Sequence, residues 1–167
     1  PIDSFNGVAA AGDDFSGDNN NPDDVSLGLG PNTLVVNGEL SDADYITFTV
    51  ADGQQLVAAN LLGFEGGPSN LTFVALQQGD VMPTQADIES GAATLDGGTV
   101  YGEGQIGQDL LPLLTSTTVE NAGQPTNGLP LPLGPGEYTL WFNQNQALTK
   151  TTLELVGCLS MVKPGTE

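Results

Sequence analysis

The sequence predicts an all-β protein, an antiparallel β-sandwich (jelly-roll-like) with one long irregular insertion. Three observations carry this. The 167 residues include 23 Gly and 11 Pro but no Ala-Leu-Glu-Lys helical stretches, a composition that suits many short strands joined by turns. Several short runs alternate apolar and polar residues, the period of a strand with one buried face. These runs recur about every ten residues with turn residues between them, as in a sandwich. The length suits one domain.

Residues 1–12 are small and weakly apolar with no clear period, and read as an N-terminal extension. An acidic segment, residues 13–24, follows. Residues 25–40 hold two apolar runs, Val-Ser-Leu-Gly-Leu and Thr-Leu-Val-Val, split by Gly30-Pro31-Asn32. In residues 45–50, Ile46, Phe48 and Val50 alternate with Tyr45, Thr47 and Thr49, a half-buried strand. Ala51-Asp52-Gly53 is a turn. Residues 55–62 are apolar on both faces and read as a central strand, and residues 71–76 as another buried strand beyond a loop.

Residues 77–128 read as a long decorated connection, with a helical turn within 85–93 and short strands at 99–101 and 109–114. After Gly134-Pro135-Gly136, a strand puts Tyr138, Leu140 and Phe142 on one face, and Thr139 and Trp141 on the other. Residues 144–148 make a turn. Residues 151–156 alternate again with Leu153 and Leu155 inward; Gly157 interrupts the strand, and Leu159 and Met161 keep the same face. The sandwich therefore spans 13–157, with extensions at 1–12 and 158–167.

Charge excludes several partners. There are 21 acidic residues against two lysines, with no Arg and no His, for a net charge of −19. Nothing in such a chain neutralises phosphates, so nucleic acid is excluded, as are anionic membranes. Self-repulsion of this size opposes compaction, and salt or divalent cations relieve it. No apolar run is long enough to span a bilayer. The sequence begins at Pro1 without a Met, which fits a processed, exported form. Cys158 stands alone, so no intramolecular disulfide forms. It reads as a small buried strand residue, with a disulfide between two subunits the alternative.

Residues 13–24, Asp-Asp-Phe-Ser-Gly-Asp-Asn-Asn-Asn-Pro-Asp-Asp, hold five Asp and three Asn and no cation. Such a segment is either a water-exposed loop whose Asp and Asn make turns or a ligand set for a hard cation. Ca²⁺ takes six to eight oxygen ligands of these types. Asp14 and Asp18 are candidate ligands, although neither opens an EF-hand loop, because the required Gly and terminal Glu are absent.

The stretch Asn-Gly-Glu-Leu-Ser-Asp-Ala-Asp-Tyr-Ile-Thr-Phe-Thr-Val, continuing to Leu56, resembles the pre-peptidase C-terminal family of bacterial secreted proteins. The match rests on Gly38, Leu40, Asp42, Asp44, Phe48, Val50, Gly53 and Leu56, with a late Gly134-Pro-Gly-Glu-Tyr138-Thr-Leu140. The resemblance implies a jelly-roll-like sandwich, an accessory role of the kind such domains have at the end of secreted enzymes, and, as in some members, calcium held by the N-terminal acidic segment together with the Asp-x-Asp turn. The matching positions are Asp23, Asp24, Asp42 and Asp44.

No His means no Ser-His-Asp or Cys-His arrangement, and a zinc site would lack its commonest ligands. The expectation is a secreted, non-catalytic structural subunit, extracellular or on a cell surface and stabilised by Ca²⁺. It would associate with itself, through to filaments, by exchange of terminal strands. Ile2, Phe5, Leu159 and Met161 would carry that exchange. The alternative is a calcium-dependent accessory module that binds polysaccharide or protein through Trp141, with Tyr45 and Tyr101 the other amphipathic aromatics. Trp141 either faces solvent for such stacking or is covered by the long connection.

Overall fold

Two five-stranded sheets face each other across one apolar core in the computed structural model, which describes residues 1–39, 41–119, 124–144 and 148–161. The strands are Ser4–Phe5 (β1), Val8–Ala9 (β2), Asp23–Val25 (β3), Gly30–Gly38 (β4), Asp42–Val50 (β5), Gln54–Glu65 (β6), Thr72–Gln78 (β7), Gly97–Tyr101 (β8), Gly136–Gln144 (β9) and Thr149–Leu159 (β10). The first sheet runs β2-β1-β4-β10-β6 and the second β3-β5-β9-β7-β8. All pairings are antiparallel except β3 with β5. The protein is an all-β sandwich.

The inward faces follow the alternation. Ile46, Phe48 and Val50 of β5 meet Leu34 and Val36 of β4, Leu153 and Leu155 of β10, and Tyr138, Leu140 and Phe142 of β9 in one core. Burial of this kind contributes about 25 cal/mol per Å² of apolar surface. A second cluster forms on the outer face of the second sheet. There Tyr45, Ala75 and Trp141 pack under Met82 and Leu95 of the long connection.

Several features depart from the sequence expectations. Residues 1–12 are not an overhang: Ser4 and Phe5 pair with Val35 and Leu34, and Phe5 enters the core. The turn between β1 and β2 is Asn6-Gly7, with φ of 49° and 77°, the two-residue Asn-Gly hairpin that suits the strand twist. Gly30-Pro31-Asn32 does not split the chain but begins β4. Pro31 is tolerated at a strand's start because the missing N–H costs little there. Residues 55–62 lie in β6, which ends its sheet rather than sitting centrally. Its outer edge is covered by bridges to Leu133 and Asp109, which shield it from other chains.

Residues 109–114 form a helical turn, Leu111–Leu114 (α2), instead of a strand. Asp109 Oδ1 accepts from the N–H groups of both Leu111 and Ala59, which starts the turn and ties it to β6. The expected helical turn is Gln85–Ser90 (α1), capped by the Thr84 hydroxyl. β10 continues through Gly157, where a side chain would meet the Gly28 carbonyl at 2.7 Å. Leu159 and Met161 have run past the core and stand 65% and 93% exposed, not inward. Cys158 is half-buried, and its Sγ accepts from Gln55 Nε2. Leu40, the turn centred on 145–147 and the tail beyond residue 161 lie outside the described residues. Among the described residues no helix is long and apolar enough to cross a membrane.

Candidate metal centre

One end of the sandwich is lined by polar groups where the core would otherwise continue. On the inward face of β5, Val50, Phe48 and Ile46 give way to Asp44. On β9, Phe142 is followed by Gln144. Asp44 is 0% exposed, and neither carboxylate oxygen has a hydrogen-bond partner. The hydroxyls of Thr72 and Thr149 and both amide atoms of Gln144 are also buried without partners. A buried polar group left alone costs about 1–3 kcal/mol, more when charged, so this end of the fold is built for something polar.

Three chain segments converge on Asp44. Asp3 precedes β1, Asp14 is the second residue of the acidic segment, and each offers an oxygen within 4.8 Å of the other and of an Asp44 oxygen. Asp3 is buried and held firmly. Its Oδ2 accepts from the Phe15 N–H at 3.0 Å, and its Oδ1 from the Asn37 N–H at 2.6 Å and Asn37 Nδ2 at 3.2 Å. Of about four lone-pair positions on a carboxylate, these contacts leave roughly one for another ligand. Asp14 is exposed. Asp42, Glu39, Ser41 and Asn37 line the adjoining pocket of about 350 Å³ with Asp3 and Asp14.

The electrostatics are severe. Burial, then the neighbouring Asp3, Asp42 and Asp14 charges, push the Asp44 carboxyl up to about 9. Burial and the Asp42 and Asp3 charges also raise Asp14. The buried pair Asp3 and Asp44 lie within 4.8 Å. Repulsion between two ionised groups at that distance is roughly 3.5 kcal/mol at an effective dielectric of about 20. That is a large part of a domain's total stability of about 5–15 kcal/mol. At neutral pH the site must take up a proton or a cation. The donors are all oxygen, the ligand type that hard divalent ions take.

The site differs from the one expected. Asp14 and Asp44 belong to the cluster, and Asp42 lies beside it. Asp18, Asp23 and Asp24 do not take part. The acidic segment crosses from one sheet to the other rather than wrapping an ion: Ser16 bridges to Tyr45, a turn follows, and β3 then runs along β5. Asp18 Oδ1 accepts from the Asn20 N–H in that turn, and Asp23 Oδ2 from the Ser16 N–H at 2.8 Å. Asp24 is exposed on β3. Asn19 binds the backbone of Met82 and so anchors the long connection. Asp3 is not among the ligands expected from sequence. Its one signal there is the alternation Asp3, Ser4, Phe5, which places Asp3 on the same face as an inward Phe.

Trp141 is 5% exposed. It stacks on Tyr45 at 5.9 Å and meets Phe73 edge-on at 5.7 Å, beneath Met82 and Leu95. It is no open platform for a sugar. Tyr101 is fully buried, and its hydroxyl pairs with Thr151 Oγ1 at 2.7 Å. Phe5 is core, and Ile2 is exposed.

No family model and no curated protein matches the chain. Among solved structures, the chain is similar to PliG of Salmonella Typhimurium, a periplasmic inhibitor of g-type lysozyme. The identity is 14% over 81% of this chain and 98% of that one, with a TM-score of 0.36. A likeness of that size lends nothing to the reading of the carboxylates, which rests on their own geometry.

Proposed function

We propose that this chain is a non-catalytic, calcium-stabilised β-sandwich serving as a structural subunit outside a cell. The observation that carries the calcium is Asp44, fully buried with two unpartnered carboxylate oxygens beside Asp3 and Asp14. A bound divalent ion removes both the repulsion and the unpaired charge. Extracellular calcium sites work at about 10⁻⁴–10⁻³ M, which a site of three carboxylates and neutral oxygens suits. The absence of His supports a non-catalytic role.

Self-association through the chain ends belongs to the same proposal. Its support is the apolar surface there: Ile2, Val8, Leu159 and Met161 are all exposed. Apolar surface of this kind, where it is contiguous, marks interaction sites. Binding of polysaccharide through Trp141 has no such support, because that ring is covered.

The test of the cation is thermal melting in EDTA and across a Ca²⁺ titration. Occupancy at 100 times Kd stabilises by about 2.7 kcal/mol, and the rise disappears in Asp44→Asn. An unchanged melting temperature overturns the calcium reading. Size in solution at high concentration, with Ca²⁺ present, tests association, and a strictly monomeric particle sinks it.

A further inference from the structure

The third carboxylate comes from a part of the chain that is attached differently from the other two. Residues 1–12 form an arm that joins the sandwich at Gly12 and Asp13, both with left-handed backbone, φ 71° and 66°. The arm docks on the edge of β4 through two paired residues and the Phe5 side chain. The Asn6 N–H donates to the Thr33 carbonyl, and the Thr33 N–H to Asn6 Oδ1. A further tie is the Asp3 carboxylate, which takes the N–H groups of Phe15 and Asn37. Docking therefore carries a buried carboxylate against Asp44, which is itself buried and unpartnered.

We propose that cation binding and docking of this arm are a single coupled event: the ion is a latch that closes residues 1–12 onto the sandwich. The inference rests on the calcium reading above. Without the ion, closure sets the Asp3 carboxylate beside two further carboxyl groups, Asp14 and Asp44, with no cation between them. With it, closure supplies a ligand. The remaining charged side chains that line the same pocket, Asp13, Glu39 and Asp42, are acidic too, and the Pro1 amino group, which also lines it, forms no ion pair with them among the described residues, so none of these groups replaces the cation. Coupling of this kind is reciprocal: the ion holds the arm, and the docked arm tightens the ion.

Amide hydrogen exchange on the intact chain tests the latch. The N–H groups of Asn6, Ala10, Phe15 and Asn37 all bond across the arm or its joint. Their exchange should be at least tenfold faster in EDTA than in millimolar Ca²⁺, while amides of β9 are unchanged. A calorimetric titration run beside it separates the claims. One bound Ca²⁺ with no change in arm exchange overturns the latch and leaves the calcium site standing. Acceleration of all strands alike also overturns it, because the ion would then stabilise the fold as a whole. No bound Ca²⁺ removes both readings. A second variant reads the coupling from the other side. Phe5→Leu leaves the carboxylates intact but loosens the arm, and should weaken Ca²⁺ binding at least threefold through the smaller docked fraction; an unchanged affinity counts against the latch.

Discussion

Replacing Asp44 with Asn should make the metal-free protein more stable and abolish its response to calcium. An acid whose folded pKa is raised keeps a proton that the unfolded chain has already released. Metal-free stability therefore falls as pH rises from about 4 towards 9, the interval between the ordinary aspartate value of 3.8 and the folded value of about 9. At pH 7 the folded state holds a proton about 3 units above the unfolded pKa, which costs roughly 4 kcal/mol at 1.36 kcal/mol per unit. Asn has the shape of the protonated acid and needs no proton, so Asp44→Asn recovers at most this amount. For a chain of this size, 1 kcal/mol shifts the melting point by roughly 2–4 °C, so the gain in EDTA at pH 7 is bounded at roughly 8–16 °C. At pH 4.5 the same arithmetic leaves about 1 kcal/mol. Melting by circular dichroism in EDTA at both pH values reads this directly. A variant no more stable than the parent at pH 7, or one whose gain is the same at pH 4.5, would refute the reasoning.

Other substitutions separate the site from its surroundings. Asp23→Ala removes the acceptor for the Ser16 N–H and should cost about 1–3 kcal/mol in denaturant melts, with the response to Ca²⁺ intact. Trp141→Ala empties the outer cluster and should cost about 3–5 kcal/mol. In the parent, Trp141 fluorescence should be blue-shifted and resist acrylamide quenching, whereas ready quenching would contradict its burial. Gly97→Ala places a Cβ against the Leu114 carbonyl, a backbone atom that cannot swing aside, and should destabilise by about 1–3 kcal/mol in the same melts.

The main sheets are legible in the sequence because their strands have one wet and one dry face. Ile46, Phe48 and Val50, or Leu153 and Leu155, state their strand and its inward side without help from the rest of the chain. The departures have separate physical causes. β6 is apolar on both faces yet lies at a sheet edge, because loop residues Leu133 and Asp109 cover it; periodicity cannot see such a cover. Leu111–Leu114 is helical because Asp109 Oδ1, just before it, takes the Leu111 N–H and Pro112 suits a first turn. The first hairpin is readable from Asn6-Gly7 between Phe5 and Val8, but the strands are two residues long, too short for a period. In the carboxylate cluster and its surroundings, Asp14, Asp42 and Asp44 are visible in the sequence as carboxylates near a turn. Asp3 is not, because its place follows from β1 docking on β4, a non-local pairing of Phe5 with Leu34. Asp23 and Asp24 stand out by density of charge alone, which does not distinguish a ligand from a backbone cap.

Whether the cluster of Asp3, Asp14 and Asp44 holds a cation is measured most directly by calorimetric titration of Ca²⁺ into EDTA-stripped, dialysed protein. One ion per chain, lost in Asp44→Asn and kept in Asp23→Ala, is the predicted result. Absence of saturable binding, or binding that survives Asp44→Asn unchanged, would contradict it.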